Sequence, residues 1–240
     1  MDYKDFLFGQ SKNNFWSMAK RDLIDIVLSI FVRPLFEGRN PPSVLNVGAG
    51  IGDDLRILKR YGLITVVDID EKALDIIPEA ACVEKRVADV LDLPYADESF
   101  DVVTCFDVFE HVQDDERAFH EVHRVLKRGG LLIFTVPAFQ VLFSSHDRVL
   151  KHARRYDRQM LLKRLSNFSI LLLSYWNLVL FLPIAILRVL NKASPPREDS
   201  FTPRRLANIF LFHLLHIENL LLKRRFNLPF GLSLLGICKK

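Results

Sequence analysis

The 240-residue chain is predicted to adopt an α/β fold built on a mostly parallel sheet. Two observations support this prediction. Between residues 43 and 137, short apolar runs alternate with segments of helical periodicity, and the first run ends in the glycine-rich loop Gly48–Gly52. Strands separated by helices pair in parallel through right-handed crossovers, so the ends of successive strands should meet at one edge of the sheet.

The elements of this core follow from apolar runs, caps and breakers. Residues 1–40 predict a helical lead-in that stops at the proline- and glycine-containing stretch 38–42. The predicted strands are Val44–Val47, Ile64–Val67, Cys82–Val87, Asp101–Phe106 and Leu131–Val136, the last entered through the turn Gly129–Gly130. The predicted helices are Asp53–Tyr61, Glu71–Ile77 and a segment that Asp114 caps.

Beyond the core, Leu165–Leu187 contains no charged residue and is long enough to cross a bilayer as a helix. Asn177 and Pro183 interrupt it, and Phe168–Trp176 is rich in residues typical of strands. We therefore expect a buried sixth strand followed by a separate apolar helix, with a membrane span as the alternative. The tail Leu228–Lys240 predicts a last strand.

The composition favours some classes of partner over others. Half of the residues are hydrophobic and 19 are Phe, which leaves a surface for lipid or an apolar partner open. The net charge of +4 is mild, and no long basic run carries interleaved aromatic residues, so nucleic acid is not favoured as a partner.

The three cysteines, Cys82, Cys105 and Cys238, are far apart in the chain. They form no motif typical of a disulfide framework or a zinc site, and no metal is expected. The first residues lack the pattern of a signal peptide. A cytoplasmic location is therefore the default expectation.

The glycine loop is the strongest local signal. Missing Cβ atoms let a ligand lie against the backbone, and the helix that follows presents free amides. An ordinary tight turn is the alternative. A dinucleotide fingerprint would need a third glycine at position 53, where Asp53 stands, so the spacing favours a ligand with a nucleoside but no pyrophosphate.

Carboxylates follow the next strands. Asp68 ends the second strand, where a carboxylate can accept hydrogen bonds from both hydroxyls of a ribose. Asp89 follows the third strand and could accept from an adenine amino group. Asp70 is better explained as a helix cap.

As a set, these motifs resemble class I S-adenosylmethionine-dependent methyltransferases, in particular the type 11 group that includes quinone-biosynthesis methyltransferases. The runs Leu91–Phe109 and Arg124–Gly130 carry much of the likeness, which is close over residues 43–137. The resemblance implies S-adenosyl-L-methionine as cofactor. It also implies a Rossmann-like three-layer sandwich with a seven-stranded, mostly parallel sheet whose antiparallel last strand is Gly231–Cys238.

The resemblance also assigns cofactor contacts. This group usually has an acidic residue where Asn46 stands, helping to hold the methionine amino group, so we expect weaker cofactor binding here. The predicted cofactor-binding residues are Asn46, Gly48, Gly50, Gly52, Asp68, Ile69, Asp89, Val90 and Asp107. Phe15–Trp16 with Lys20–Arg21 resembles a lead-in that lies over the pocket in some relatives, although a helix packed on the core would explain it equally.

Methyl transfer needs a base only if the acceptor must lose a proton. The candidates for that role are His111, His146 and Asp147. A stretch similar to that of relatives near the substrate supplies the candidate substrate-binding residues His152, Arg154, Arg155 and Tyr156. The arginines could hold an anionic acceptor, whereas charges that pair with each other in a loop are the alternative.

These inferences predict one methyltransferase domain over residues 1–240, with a helical cap at 1–42, a cofactor core at 43–137 and an acceptor-side region at 138–240. The apolar stretch Leu178–Leu187 and the basic residues after it favour an apolar or lipid-linked small-molecule acceptor and peripheral contact with a membrane. A homodimer interface would explain the same residues. The rival functions are a cofactor-binding scaffold without catalysis, favoured only by Asn46, and a nicotinamide-dependent oxidoreductase, which the glycine spacing opposes.

Overall fold

A computed structural model describes residues 14–190, 192, 203–224 and 226–240. Its centre is a seven-stranded sheet in the order β3-β2-β1-β4-β5-β7-β6. The strands are β1 Ser43–Val47, β2 Leu63–Asp68, β3 Glu84–Val87, β4 Phe100–Phe106, β5 Leu126–Pro137, β6 Ser169–Trp176 and β7 Ser233–Lys239. Only β7 runs antiparallel to its neighbours, β5 and β6. The predicted fold class, including the antiparallel last strand, is confirmed.

The helices pack in two groups. The described helices are α1 Phe15–Phe31, α2 Arg33–Phe36, α3 Leu55–Leu58, α4 Glu71–Ile76, α5 Asp115–Val125, α6 Ser145–Val149, α7 Arg158–Arg164, α8 Phe181–Leu190 and α9 Arg205–Lys223. In one group α1 contacts α3 and α9, and in the other α5 contacts β5 and α7. Of the predicted lead-in, residues 1–13 lie outside the described residues.

The central strands are buried because helices cover the sheet. From Leu131 to Pro137 every residue of β5 is buried, and so are all but two residues of β1 and β4 together. A strand that is covered on both faces needs a continuous run of apolar residues. Runs of this kind made the central strands recognisable in the sequence. The edge strand β3 carries Glu84, Lys85 and Arg86 instead, which suits an edge exposed to water.

Several predicted boundaries are wrong. Strand three begins at Glu84 rather than Cys82, and the last strand covers Ser233–Lys239 rather than Gly231–Cys238 or Leu228–Lys240. The helix expected at Asp53–Tyr61 covers only Leu55–Leu58, because turns occupy the residues on either side. Strand five was expected to begin after Gly129–Gly130 but begins at Leu126, so the glycines lie inside β5. Gly129 has φ +80°, and the pairing of β5 with β4 shifts register here, so this pair forms a bulge rather than a turn.

The uncharged stretch Leu165–Leu187 is divided as predicted between β6 and the start of α8, so it is not a membrane-spanning helix. Asn177, with φ +65°, ends the strand. Among the described helices, α9 alone has the length and composition to cross a membrane, with a mean hydropathy of 1.2, and 22% of that window is buried.

Candidate active site

The glycine loop leaves β1 in a conformation that requires glycine. Gly48 has φ +67°, and a Cβ added there would lie 2.4 Å from Cγ2 of Val108. Its amide donates to the carbonyl of Val67 at the end of β2 (2.9 Å). The missing Cβ of Gly48 thus makes room for Val108, while the exposed Gly48 backbone stays accessible beside the ends of β1, β2 and β4.

Asp68 binds this loop from the end of β2. One carboxylate oxygen accepts from the Gly50 amide (2.7 Å) and the other from the Asp70 amide (2.9 Å). The side chain is thus held between the glycine loop and the turn into α4. Asp70 accepts from the Lys72 amide (3.0 Å), which confirms it as the cap of α4.

Asp107 ends β4 and pairs with a lysine from α1. Its carboxylate accepts from Lys20 Nζ (2.6 Å) and from Thr135 Oγ1 (2.8 Å). Burial would raise the pKa of Asp107, but the Lys20 ammonium and these hydrogen bonds outweigh it and lower the pKa to about 2. Burial opposes the charge on Lys20 too, yet Asp107 and Asp54 raise the pKa of its ammonium above the usual value. Helix α1 therefore reaches the sheet edge where the glycine loop lies.

The remaining predicted cofactor residues lie in or just after the same parallel strands. Asn46 is buried in β1, and its Oδ1 accepts from Thr104 Oγ1 (2.9 Å). After β3, Asp89 is exposed and Val90 is buried, while after β2 the Ile69 side chain is 70% exposed. The carboxyl ends of parallel strands are where open α/β sheets bind ligands, so the fold brings the predicted set to one edge. Individual cofactor contacts stay predictions.

The second predicted group lies around Asp147, whose carboxylate is fully buried. It accepts from the Ser144 amide (2.8 Å) and Arg155 Nε (2.8 Å), and it lies 3.0 Å from His152 Nδ1 and 3.2 Å from an Arg188 nitrogen. Burial opposes ionisation, but His152 and the two arginines hold the pKa of Asp147 well below its usual range. The charged side chains of this loop therefore pair with each other. Such pairing is the alternative that the sequence offered to catalytic and substrate-binding roles.

The next residues fasten the same loop to α5. Arg154 and Tyr156 both bind the buried Asp115, each at 3.0 Å, and the Tyr156 hydroxyl also lies 3.0 Å from the carbonyl oxygen of Phe109. Burial and the Asp115 carboxylate raise the pKa of Tyr156 above its usual value. His146 lies apart on α6 and is partly exposed. The roles predicted for these residues stay predictions, but their polar groups have partners inside the fold.

The structure also brings together residues that the sequence left apart. His111 and His152 stack edge to face with ring centroids 4.7 Å apart, and Glu110 lies beside both. Glu110 was not predicted as a site residue, because nothing in the sequence around it indicates that His152 is its neighbour in the fold.

Comparisons with known proteins agree with this geometry. Residues 45–134 match the family model Methyltransf_11, described as a methyltransferase domain. The chain is 32% identical to ajmaline N-methyltransferase of Rauvolfia serpentina, over 54% of this chain and 50% of that protein. It is 35% identical to demethylmenaquinone methyltransferase of Thermotoga maritima, over 48% of this chain and 55% of that protein. The chain spans about half the length of these curated relatives.

A solved structure shares the fold. The crystal structure of a putative methyltransferase from Bacillus halodurans superposes with a TM-score of 0.58 at 19% identity, covering 91% of this chain and 98% of that one. Fold and family match define the same class of protein. Residues 45–134 therefore match the type 11 methyltransferase domain, a class I S-adenosylmethionine-dependent family, and this match supports S-adenosyl-L-methionine as the cofactor.

Proposed function

We propose that the chain transfers a methyl group from S-adenosylmethionine to an apolar, membrane-borne small molecule, while attached peripherally to the cytoplasmic surface of a membrane. The family match supports the methyl transfer. The observation that carries the choice of acceptor is the exposed apolar surface of α8 and α9, two helices tied to the elements that build the cofactor site.

The cofactor residues fit this role. The open backbone at Gly48 would lie against the cofactor, and Asp68 would accept hydrogen bonds from its ribose. The amides of Gly50 and Asp70 already fix both oxygens of Asp68, so little reorganisation accompanies binding. When bound, the cofactor supplies a methyl carbon activated by its sulfonium. The protein has to orient that carbon toward the acceptor and exclude water.

Helix α8 joins the apolar surface to the sheet edge. None of its residues is buried, and it exposes Leu182, Ile186, Leu187, Val189 and Leu190. Phe181 at its first turn packs edge-on against Phe139, the second residue after β5, with ring centroids 5.5 Å apart. An apolar acceptor reaching α8 would therefore lie close to the end of β5.

Helix α9 is held firmly against the fold. Glu218 on α9 is buried and accepts from the amides of Leu178 and Val179 (3.1 Å each), which fixes the chain entering α8. Asn219 donates to the Ala19 carbonyl of α1 (2.9 Å) and accepts from Trp176 of β6 (2.8 Å). These contacts support a helix that lies on the protein rather than one that leaves it to span a bilayer.

The outer surface of α9 suits an anionic lipid surface. It exposes Leu206, Ile209, Phe210, Ile217, Leu220 and Leu221. Arg204 and Arg205 lie at its start, and Lys223 and Arg224 at its end, all exposed. Apolar area gives affinity for lipid, and each basic residue near an anionic surface adds about 1 kcal/mol. Such attachment is sensitive to salt.

Calorimetry tests the cofactor. We expect binding of S-adenosylmethionine and S-adenosylhomocysteine and none of NAD. Binding of NAD without a response to either adenosyl ligand would overturn the proposal. A native extract incubated with isotopically labelled cofactor should then yield a labelled product in its lipid-soluble fraction, and a labelled product confined to the aqueous fraction would refute the apolar acceptor.

Flotation with liposomes tests the attachment. The protein should float with anionic vesicles at low salt and be released at high salt. A protein that stays with neutral and anionic vesicles equally at high salt would favour a spanning helix. A stable dimer that does not float would assign the apolar surface to a homodimer interface instead.

A further inference from the structure

Glu110 is a buried carboxyl group with an unfilled hydrogen-bonding capacity. It lies in the short turn Phe109–His111 after β4, with a relative exposure of 1%. Among the residues that the structure describes, its Oε2 has no hydrogen-bond partner. Burial and then the Asp107 carboxylate raise the pKa of Glu110 well above its usual value. A buried carboxyl oxygen without a partner is costly, so a missing ligand at Oε2 would explain its presence.

Two imidazoles lie next to this carboxyl group. One ligand atom each from Glu110, His111 and His152 lies within 4.8 Å of the other two. The imidazoles come from different segments, one next to Glu110 in the chain and the other beyond β5. The fold therefore brings together three groups that are typical metal ligands.

His152 is already oriented as a metal ligand would be. Its Nδ1 lies 3.0 Å from the Asp147 carboxylate. In the tautomer that donates from Nδ1 to this carboxylate, Nε2 keeps a lone pair for another partner. Metal-bound histidines usually donate their second ring nitrogen to a carboxylate in this way. Arg155 and Ser144 hold Asp147 in place, so the orientation of the His152 ring is fixed before any ligand binds.

We propose that Glu110, His111 and His152 form a binding site for a divalent first-row transition-metal ion such as Zn²⁺. Two imidazoles and one carboxylate leave at least one coordination position open, as in catalytic zinc sites. Bonds of about 2.0–2.1 Å in tetrahedral geometry place ligand atoms about 3.4 Å apart, so the three side chains have to close by little more than about 1 Å.

The position of the site suggests its use. Glu110 and His111 follow β4 three and four residues after Asp107, at the edge that carries the cofactor residues. The open coordination position would bind an oxygen atom of the acceptor and orient it toward the methyl group. This use rests on the proposed function, whereas binding of the metal does not.

The test uses the full chain without a histidine tag. After loading with Zn²⁺ and gel filtration, elemental analysis should find one equivalent of zinc. Titration with Co²⁺ should give the visible d–d absorption bands of a site with a low coordination number. Addition of Zn²⁺ should abolish these bands by displacing the Co²⁺. Wild-type protein without retained zinc and without Co²⁺ bands would overturn the proposal.

Variants locate the ion. Glu110→Gln and His152→Gln should each weaken Co²⁺ binding by at least about 10-fold. The matched control is His120→Gln, an exposed histidine on α5, which should bind as the wild type does. If Glu110→Gln does not fold, His111→Gln decides. Unchanged Co²⁺ bands in folded variants of these ligands would refute the site.

Calorimetry with S-adenosylhomocysteine on the same samples separates the two proposals. Metal uptake without cofactor binding would sink the proposed methyl transfer and leave the metal site intact. Cofactor binding without metal uptake would refute the metal site and leave the proposed methyl transfer intact.

Discussion

Residues 43–137, the proposed cofactor half, and residues 138–240, the proposed acceptor half, are built in different ways. In the first, buried parallel strands and a glycine loop with positive φ angles present backbone amides and carboxylates at one edge. In the second, most of the exposed large apolar side chains of the described chain lie on and around α8 and α9. The family model ends at residue 134, close to this boundary. This contrast is what the proposed function requires, since residues 43–137 would bind the shared cofactor and residues 138–240 would determine which acceptor is methylated.

The largest expected effect on cofactor affinity comes from a substitution in the glycine loop. Gly48→Ala should weaken S-adenosylhomocysteine binding by about 30-fold or more, because strain at positive φ and the contact with Val108 together cost about 2–5 kcal/mol. Gly38→Ala is the matched control, since Gly38 has φ +74° but nothing within 4 Å of an added Cβ. Calorimetry measures the binding, and equal losses in both variants would contradict a role for the loop.

The next effect concerns the ribose. Asp68→Ala should weaken cofactor binding by about 1–3 kcal/mol, because it removes a charged acceptor from two hydroxyls. The matched control Asp75→Ala replaces an exposed carboxylate on α4 and should change nothing. A dissociation constant that Asp68→Ala leaves unaltered would mean that another residue holds the ribose.

A substitution in the acceptor half should weaken membrane binding without changing cofactor affinity. Replacing Leu206 and Phe210 by Glu removes two exposed apolar side chains of α9 and should reduce partitioning onto anionic vesicles by about 10-fold or more. Cofactor affinity should stay constant. Val83→Glu places one such charge at an exposed apolar position of the cofactor half and should float as the wild type does. Flotation that survives the double substitution would move the lipid contact elsewhere.

The smallest effect lies at the contact between α1 and β4. The pKa of Asp107 is lowered from its usual value to about 2, so its ionised form stabilises the fold above about pH 4, and this contribution is lost as the pH falls toward 2. Since 40% of its side chain is exposed, we expect about 1 kcal/mol. Denaturant unfolding should show a shallower acid decline for Asp107→Asn than for the wild type. Parallel declines would assign the acid sensitivity to other carboxylates.

The sequence was sufficient for the cofactor half because its signals are local. Apolar runs gave the strands, and the spacing from Gly48 to Asp68 placed a carboxylate beside the loop that it indeed binds. The bulge at Gly129 was missed because a glycine pair predicts a turn equally well. The partners of Asp147 were missed because ion pairs between distant segments leave no periodicity. For the same reason Glu110 and His152 could be recognised as neighbours only in the folded chain.

The insertion of β7 between β5 and β6 has a consequence for biosynthesis. Strand β6 leaves the ribosome early, but its partner β7 follows only after α8 and α9 have been made. Until then the apolar β6 and the open edge of β5 are available to other chains, which favours aggregation. A nascent chain of this kind should depend on chaperones during that interval, and premature termination before β7 should yield insoluble product rather than a smaller working domain.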